Sequence, residues 1–110
     1  MLSLNNNKIF LYDKPINISK SFEGLSALVE LSFPGELHTG AYFLFLNRNR
    51  KSLKLLVWDG DGYAIYYKRL EKGKFIINNK GKCNLTRREF LMFFEGIYPK
   101  RLDNRFSMKK

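Results

Sequence analysis

Between Trp58 and Tyr63 the chain reads Asp59-Gly60-Asp61-Gly62, flanked by two stretches rich in aliphatic, β-branched and aromatic residues, 53–58 and 63–70. Glycines beside aspartates supply the positive-φ positions that tight turns need, so this run predicts a β-hairpin. Its two-residue loop can be Asp59-Gly60, Gly60-Asp61 or Asp61-Gly62. Sliding among the three keeps every side chain on its face, because strand side chains alternate with period two; a three-residue loop with a bulge would not. One face then carries Leu53, Leu55, Val57, Ala64, Tyr66 and Leu70, with Lys68 as its single charge, and reads as core. The other carries Lys54, Leu56, Trp58, Tyr63, Ile65, Tyr67 and Arg69, a mixture of rings and cations that suits a nucleic-acid-binding sheet or a protein interface.

The remaining elements assemble around that hairpin. Residues 9–12 (IFLY) form a short strand, stopped at Asp13-Lys14-Pro15, since proline cannot donate to a ladder and restricts the residue before it. Residues 20–31 form an amphipathic helix, with Ser19 as its cap and Phe22, Leu25, Leu28 and Val29 on one side. Gly24 costs that helix about 1 kcal/mol relative to alanine and is expected to permit close approach to the sheet. Residues 41–46 (AYFLFL) are apolar on both faces, which places them in a central, doubly covered strand.

A basic turn at residues 47–52 leads into the hairpin. After it, Glu71-Lys72-Gly73-Lys74 turns the chain into a further strand at Phe75-Ile76-Ile77, completing an antiparallel meander, and residues 78–84 form a loop. The second helix has the best-specified start. Thr86-Arg87-Arg88-Glu89 fits a capping box, Leu85 and Phe90 occupy the hydrophobic-staple positions, and Gly96 suits a left-handed C-terminal cap. Phe90, Leu91 and Phe94 are expected to point inward. The fold class is therefore α+β, an antiparallel β-meander of about four or five strands packed with two α-helices. Residues 1–98 form one domain, and the basic, weakly periodic residues 99–110 form a mobile tail.

At 110 residues, 45% hydrophobic and 15% aromatic, the chain can bury one core without disulfides or metal. Its single cysteine, Cys83, precludes an intramolecular disulfide and suits a reducing cytoplasm. No apolar run approaches the roughly 20 residues that span a bilayer, and the N-terminus carries no signal-peptide pattern, so no membrane role is expected.

Charge is more informative. The net charge is +10, but residues 1–46 hold three cations against four acids, whereas residues 47–110 hold 17 against six. The basic character belongs to the hairpin and the C-terminal half, which favours a polyanionic partner over a merely solvated surface. The candidate contacts are Arg48, Arg50 and Lys51 at one turn, Lys72 and Lys74 at the opposite end of the hairpin, and Lys54, Trp58, Tyr63, Tyr67 and Arg69 on its mixed face. Arg87 and Arg88 join them, because cations in a helix's first turn oppose the macrodipole and an anion docked there would gain both guanidinium groups and the free N–H groups.

Catalytic chemistry finds no motif. Asp59 and Asp61 are a close acidic pair without a third ligand, in dipeptides that ordinarily make turns. His38, the single histidine, reads as an ordinary loop residue beside Glu36 and Thr39, and Cys83 has no histidine near it in sequence. No catalytic residue, metal site or cofactor is expected.

The run LKLLVWDGDG from Leu53 to Gly62, continued by YKRLEKGKF from Tyr67 to Phe75, resembles the accessory protein encoded by the second reading frame of IS66-type insertion sequences, often labelled TnpB and distinct from the RNA-guided nuclease that shares the label. Phe22-Glu23-Gly24-Leu25 with Leu28-Val29, Gly40 followed by Phe43-Leu44-Phe45, and Leu85-Thr86 leading to Glu95-Gly96-Ile97 extend the resemblance over residues 9–97. It departs at Ile16-Asn17-Ile18-Ser19-Lys20-Ser21, where the family usually reads Val-Asp-Met-Arg-Lys-Gly, so no role of that segment carries over. The resemblance implies a mobile-element protein that assists transposition beside a separate transposase, and it supplies no catalytic residues. The expected function is a non-enzymatic, cytoplasmic DNA-binding accessory factor. The alternative is a protein-interaction module that docks on the transposase or self-associates through the aromatic hairpin face.

Overall fold

A computed structural model describes residues 8–76 and 83–95, with side chains as far as Met92. Within them the order is β1 (Ile9–Leu11), α1 (Phe22–Ser32), β2 (Tyr42–Leu46), β3 (Ser52–Trp58), β4 (Tyr63–Arg69) and α2 (Arg87–Glu95). The four strands form one sheet in the order β1-β2-β3-β4. The fold is α+β, as the sequence predicts.

The alternation of side chains along β2 explains the layers. Tyr42, Leu44 and Leu46 point into one cluster with Ile9, Leu11, Leu53, Leu55, Val57, Phe75, Leu85 and Phe90. Phe43 and Phe45 point into the other, with Leu25, Val29, Leu37 and Leu56, so α1 covers one face of the sheet and α2 the opposite one. Every residue of β2 is buried. Burying a large apolar side chain contributes about 1.5–3 kcal/mol, which makes this strand the centre of the core.

The hairpin forms with the predicted facing. Leu53 pairs with Lys68, Leu55 with Tyr66, Val57 with Ala64 and Trp58 with Tyr63. That register selects Gly60-Asp61 as the loop. It is closed by the Asp59 N–H donating to the Gly62 carbonyl at 2.9 Å, with positive φ at Gly60, the position where a type II′ turn requires it.

Three expectations about the sheet are corrected. First, β1 pairs parallel with β2, so the antiparallel meander comprises β2, β3 and β4 alone. Parallel neighbours need a long crossover, and the 30 residues between β1 and β2, containing α1, supply it. Second, Phe75 is fully buried, but residues 75–76 form no strand, and Ile77 lies outside the described residues. Third, Cys83 and Asn84, at the end of a stretch expected as a loop, pair with β1, and residues 83–85 cover its outer edge. The Leu11 N–H donates to the Cys83 carbonyl (2.7 Å) and the Leu85 N–H to the Ile9 carbonyl (2.8 Å).

The helices follow their sequence signals with local differences. α1 begins at Phe22 behind Ser21, whose side chain makes no capping bond, and Ser19 instead hydrogen-bonds Asn17. Leu25 and Val29 are fully buried, with Phe22 and Leu28 packed beside them. A Cβ on Gly24 would press on the Lys20 side chain at 3.1 Å, so the close neighbour there is a lysine stem and not the sheet.

At α2 the capping box is complete. The Thr86 N–H donates to Glu89 Oε1 (2.9 Å), and the Glu89 N–H donates to Thr86 Oγ1 (3.1 Å). Leu85 and Phe90 are buried in the same cluster, as a hydrophobic staple requires. Leu91, expected inside, is 40% exposed. The Phe94 side chain, Gly96 and the boundary between the domain and residues 99–110 lie outside what the structure describes. Among the described residues, no helix is long and apolar enough to cross a membrane.

Candidate nucleic-acid interface

Two backbone hydrogen bonds gather the basic residues. The Leu70 N–H donates to the Lys51 carbonyl at 2.8 Å, and the Phe75 N–H donates to the Arg50 carbonyl at 2.7 Å. Both hold residues 70–75 against the turn between β2 and β3. Phe75, fully buried, anchors that return. Lys72 and Lys74 therefore lie at the same open end of the hairpin as Arg48, Arg50 and Lys51, which corrects the expectation of opposite ends. The turn itself is built by Asn47, whose Oδ1 accepts the Ser52 N–H (3.1 Å), and by Arg50, with φ of 60°. Arg50 is the one positive-φ residue other than glycine among the described residues.

Beside this end, on the face that α1 partly covers, stand Lys54, Tyr67 and Arg69. Lys54 pairs with Tyr67, and Ser52 with Arg69. Tyr67 is 53% exposed, an unusual state for a large ring. Its hydroxyl lies 3.4 Å from the hydroxyl of the fully buried Ser52, and the Lys54 ammonium sits 5.9 Å from its ring centroid. Lys54 is itself fixed, since its Nζ donates to the Lys20 carbonyl at 2.9 Å. The Ser52 hydrogen bond holds the Tyr67 hydroxyl below the ordinary tyrosine pKa, and the hydrogen bond and charge of Arg69 and the charge of Lys54 act in the same direction. The result is a largely exposed ring with Lys54 over it and Arg69 at its hydroxyl.

Trp58 and Tyr63 occupy the other, turn end of the same face. Their rings meet edge-on at 4.7 Å, Phe22 of α1 lies 4.0 Å from Tyr63, and His38 stands edge-on to Trp58 at 5.0 Å. His38 Nε2 also hydrogen-bonds the Tyr63 hydroxyl. Both rings are half-buried, so their packing serves the contact between helix, loop and hairpin.

Arg87 and Arg88 are exposed at the start of α2. α2 packs on the face opposite α1, and its entry runs along the outer edge of β1. Three strand spacings and most of a strand length separate it from the basic open end, on the order of 20–25 Å. The structure thus brings together Arg48, Arg50, Lys51, Lys54, Tyr67, Arg69, Lys72 and Lys74. Trp58 and Tyr63 stand apart from them, and Arg87 and Arg88 lie on another face.

Sequence reasoning passed over Ser52, the Lys20 carbonyl and the His38 ring contacts. Period-two alternation does place Ser52 on the face of Lys54, so its position was available. The other two depend on how α1 and its flanking loops cross the sheet. Asp59 and Asp61 are exposed in the turn. No group of three or more acidic, histidine or cysteine side chains able to hold a metal occurs among the described residues.

A family model described as IS66 Orf2-like protein matches residues 7–104. An uncharacterized protein of Sinorhizobium fredii (strain NBRC 101917 / NGR234), designated y4jC, is 28% identical over 92 residues, covering 82% of this chain and 79% of its own length. No solved structure matches. With nearly its whole length matched, the chain belongs to the IS66 Orf2-like family of transposition-associated accessory proteins.

Proposed function

We propose that this protein is a non-enzymatic DNA-binding accessory factor, acting in the cytoplasm beside a separate transposase, and that it grips the phosphate backbone with the open end of the β3–β4 hairpin. The observation that carries this reading is the gathering of Arg48, Arg50, Lys51 and Lys72 at the open end of the hairpin, next to Lys54, Arg69 and the exposed ring of Tyr67. Each of these cations that neutralises a phosphate releases counterions, so binding should be steeply salt-dependent. Arg87 and Arg88, on the opposite face, lie outside this footprint.

The test is a titration of the full chain against the element's terminal DNA, unrelated DNA and RNA at two salt concentrations, with the parent compared to an Arg48→Gln/Arg69→Gln variant and to an Arg87→Gln/Arg88→Gln variant. The first pair should flatten the plot of log affinity against log salt by about 0.7–0.9 per lost contact. The second pair should leave it nearly unchanged. Salt-insensitive binding, or none at all, would sink the reading. The second reading, docking on the transposase or on another copy, draws support from β4, which is an outer strand of the sheet with Ile65 exposed beside Tyr67.

A further inference from the structure

We infer that the open end of the hairpin takes single-stranded DNA, with an unpaired base stacked on Tyr67 and the phosphates next to it on the open-end side held by Arg69 and by the cations of the two basic turns. This rests on the reading of that end as a DNA-binding surface. Three features favour a single strand over a duplex.

The first is the ring. Tyr67 is 53% exposed on the flat of a sheet, and an aromatic face gains by stacking only on a base whose own face is free. In a duplex the base faces are occupied by their neighbours, and the ring would be left against groove edges or phosphates. The second is order. Ser52 holds the hydroxyl end of Tyr67 from within the core, while Lys54, fixed on the Lys20 carbonyl, stands over the ring. A ring already held in place loses little freedom when a base settles on it.

The third feature is shape. α1 crosses the same face and meets the hairpin at Tyr63 through Phe22, while Lys20, just ahead of the helix, receives Lys54. A helix is about 10–12 Å across with its side chains, so it stands as a wall beside the exposed part of β4. What remains is a shelf one or two strands wide, with Ile65, Tyr67 and Arg69 projecting along it at intervals of about 7 Å. An extended strand of nucleotides can lie on such a shelf with bases turned inward. DNA is the assigned strand because the family is transposition-associated, and transposition moves DNA.

Fluorescence anisotropy of the full chain with a labelled oligodeoxynucleotide, the same sequence annealed to its complement, and the same sequence as RNA tests the proposal. Single-stranded DNA should bind at least about tenfold more tightly than the duplex at equal salt. Tyr67→Ala should weaken single-strand binding by between about five- and 150-fold, the span equivalent to roughly 1–3 kcal/mol for one stacked base, and leave duplex binding nearly unchanged. Tyr67→Phe, which keeps the ring, should retain most of the single-strand affinity, and matched thermal melts of both variants confirm an intact fold. Tighter binding of the duplex, or a Tyr67→Ala variant that binds single strands like the parent, overturns this inference while leaving the salt-dependent DNA-binding reading standing. Tighter binding of RNA overturns the choice of DNA, and binding of none of the three overturns both.

Discussion

Replacing Arg50 by glycine should make the protein more stable and a poorer nucleic-acid binder. Arg50 holds φ at 60°, the left-handed region where an L side chain crowds the following carbonyl. That conformation costs roughly 1–2 kcal/mol. Glycine removes the crowding, but its unfolded chain has more freedom to lose, which returns about 0.4–1 kcal/mol. The net gain is about 0.5–1 kcal/mol. For a domain of this size each kcal/mol moves the midpoint by about 4–8 °C, so the melt should rise by roughly 2–8 °C. The two local hydrogen bonds of residue 50, its N–H to the Asn47 carbonyl at 3.0 Å and its carbonyl to the Phe75 N–H, are both backbone and survive the change.

The same substitution deletes one exposed cation from the basic end. If that cation meets a phosphate of a single strand, the log–log salt slope should fall by about 0.7. Between about 50 and 200 mM salt the parent would then lose about 2.6-fold more affinity than the variant, a ratio that anisotropy titrations resolve. A lower melting temperature would mean that the Arg50 side chain holds the turn together, and the strain argument would be wrong. An identical salt slope would remove Arg50 from the binding surface.

Two further outcomes are expected from the geometry. Thr86→Ala removes the side chain that caps α2 through the Glu89 N–H, and should lower stability by about 1 kcal/mol in denaturant melts, whereas a change within experimental error would mean that the rest of the capping box suffices. Tyr67 has its folded pKa lowered, with the Ser52 hydrogen bond as the largest cause, so its ionisation favours the folded state. That stabilisation is fully present above the unfolded tyrosine pKa and is lost as the pH falls through the folded one. A tyrosinate absorbance titration, taken as the difference between parent and Tyr67→Phe, should show Tyr67 ionising ahead of an ordinary tyrosine, and Ser52→Ala should move it back upward. An unchanged titration in Ser52→Ala would dissociate the ring from that hydroxyl.

Local pattern carried most of the elements. The doubly apolar β2, the facing of the hairpin, the buried positions Leu25 and Val29, and the Thr86–Glu89 box each depend on residues close together in sequence, where period and capping chemistry leave few alternatives. What escaped was pairing at long range. Nothing in IFLY says that β1 runs parallel to β2, because parallel or antiparallel entry is decided by the path of 30 intervening residues. The return of Phe75 to the Arg50 carbonyl is of the same kind. A buried phenylalanine after a turn reads as another strand, yet here it plugs the core from an irregular segment and draws Lys72 and Lys74 back to Arg48 and Arg50. The candidate residues were thus visible one by one, and the hairpin's pairing already brought their two turns to one end; what the sequence did not show was how Phe75 and Ser52 fix them there.

That convergence coincides with a departure from ordinary folding rules. A consistent sequence places glycine at positive φ, apolar side chains at buried positions, cations in water and large rings inside. At one end of one sheet all four are set aside: Arg50 stands at φ of 60°, Ser52 is fully buried, Lys54 is half-buried on a backbone carbonyl, and Tyr67 is 53% exposed. None of the four improves the core. A valine in place of Ser52 would pack against the same strands without a hydroxyl to satisfy, and a glycine at position 50 would relieve the turn. Taken singly, each has a tolerable cost of about 1–2 kcal/mol at most. Their shared location within two turns and a few cross-strand pairs is what distinguishes this corner from the capped, staple-closed start of α2, where every local rule is obeyed. Selection on stability alone would have no reason to collect such residues in one place, whereas the proposed role of this end, presenting a fixed ring and nearby cations to a polyanion, uses them.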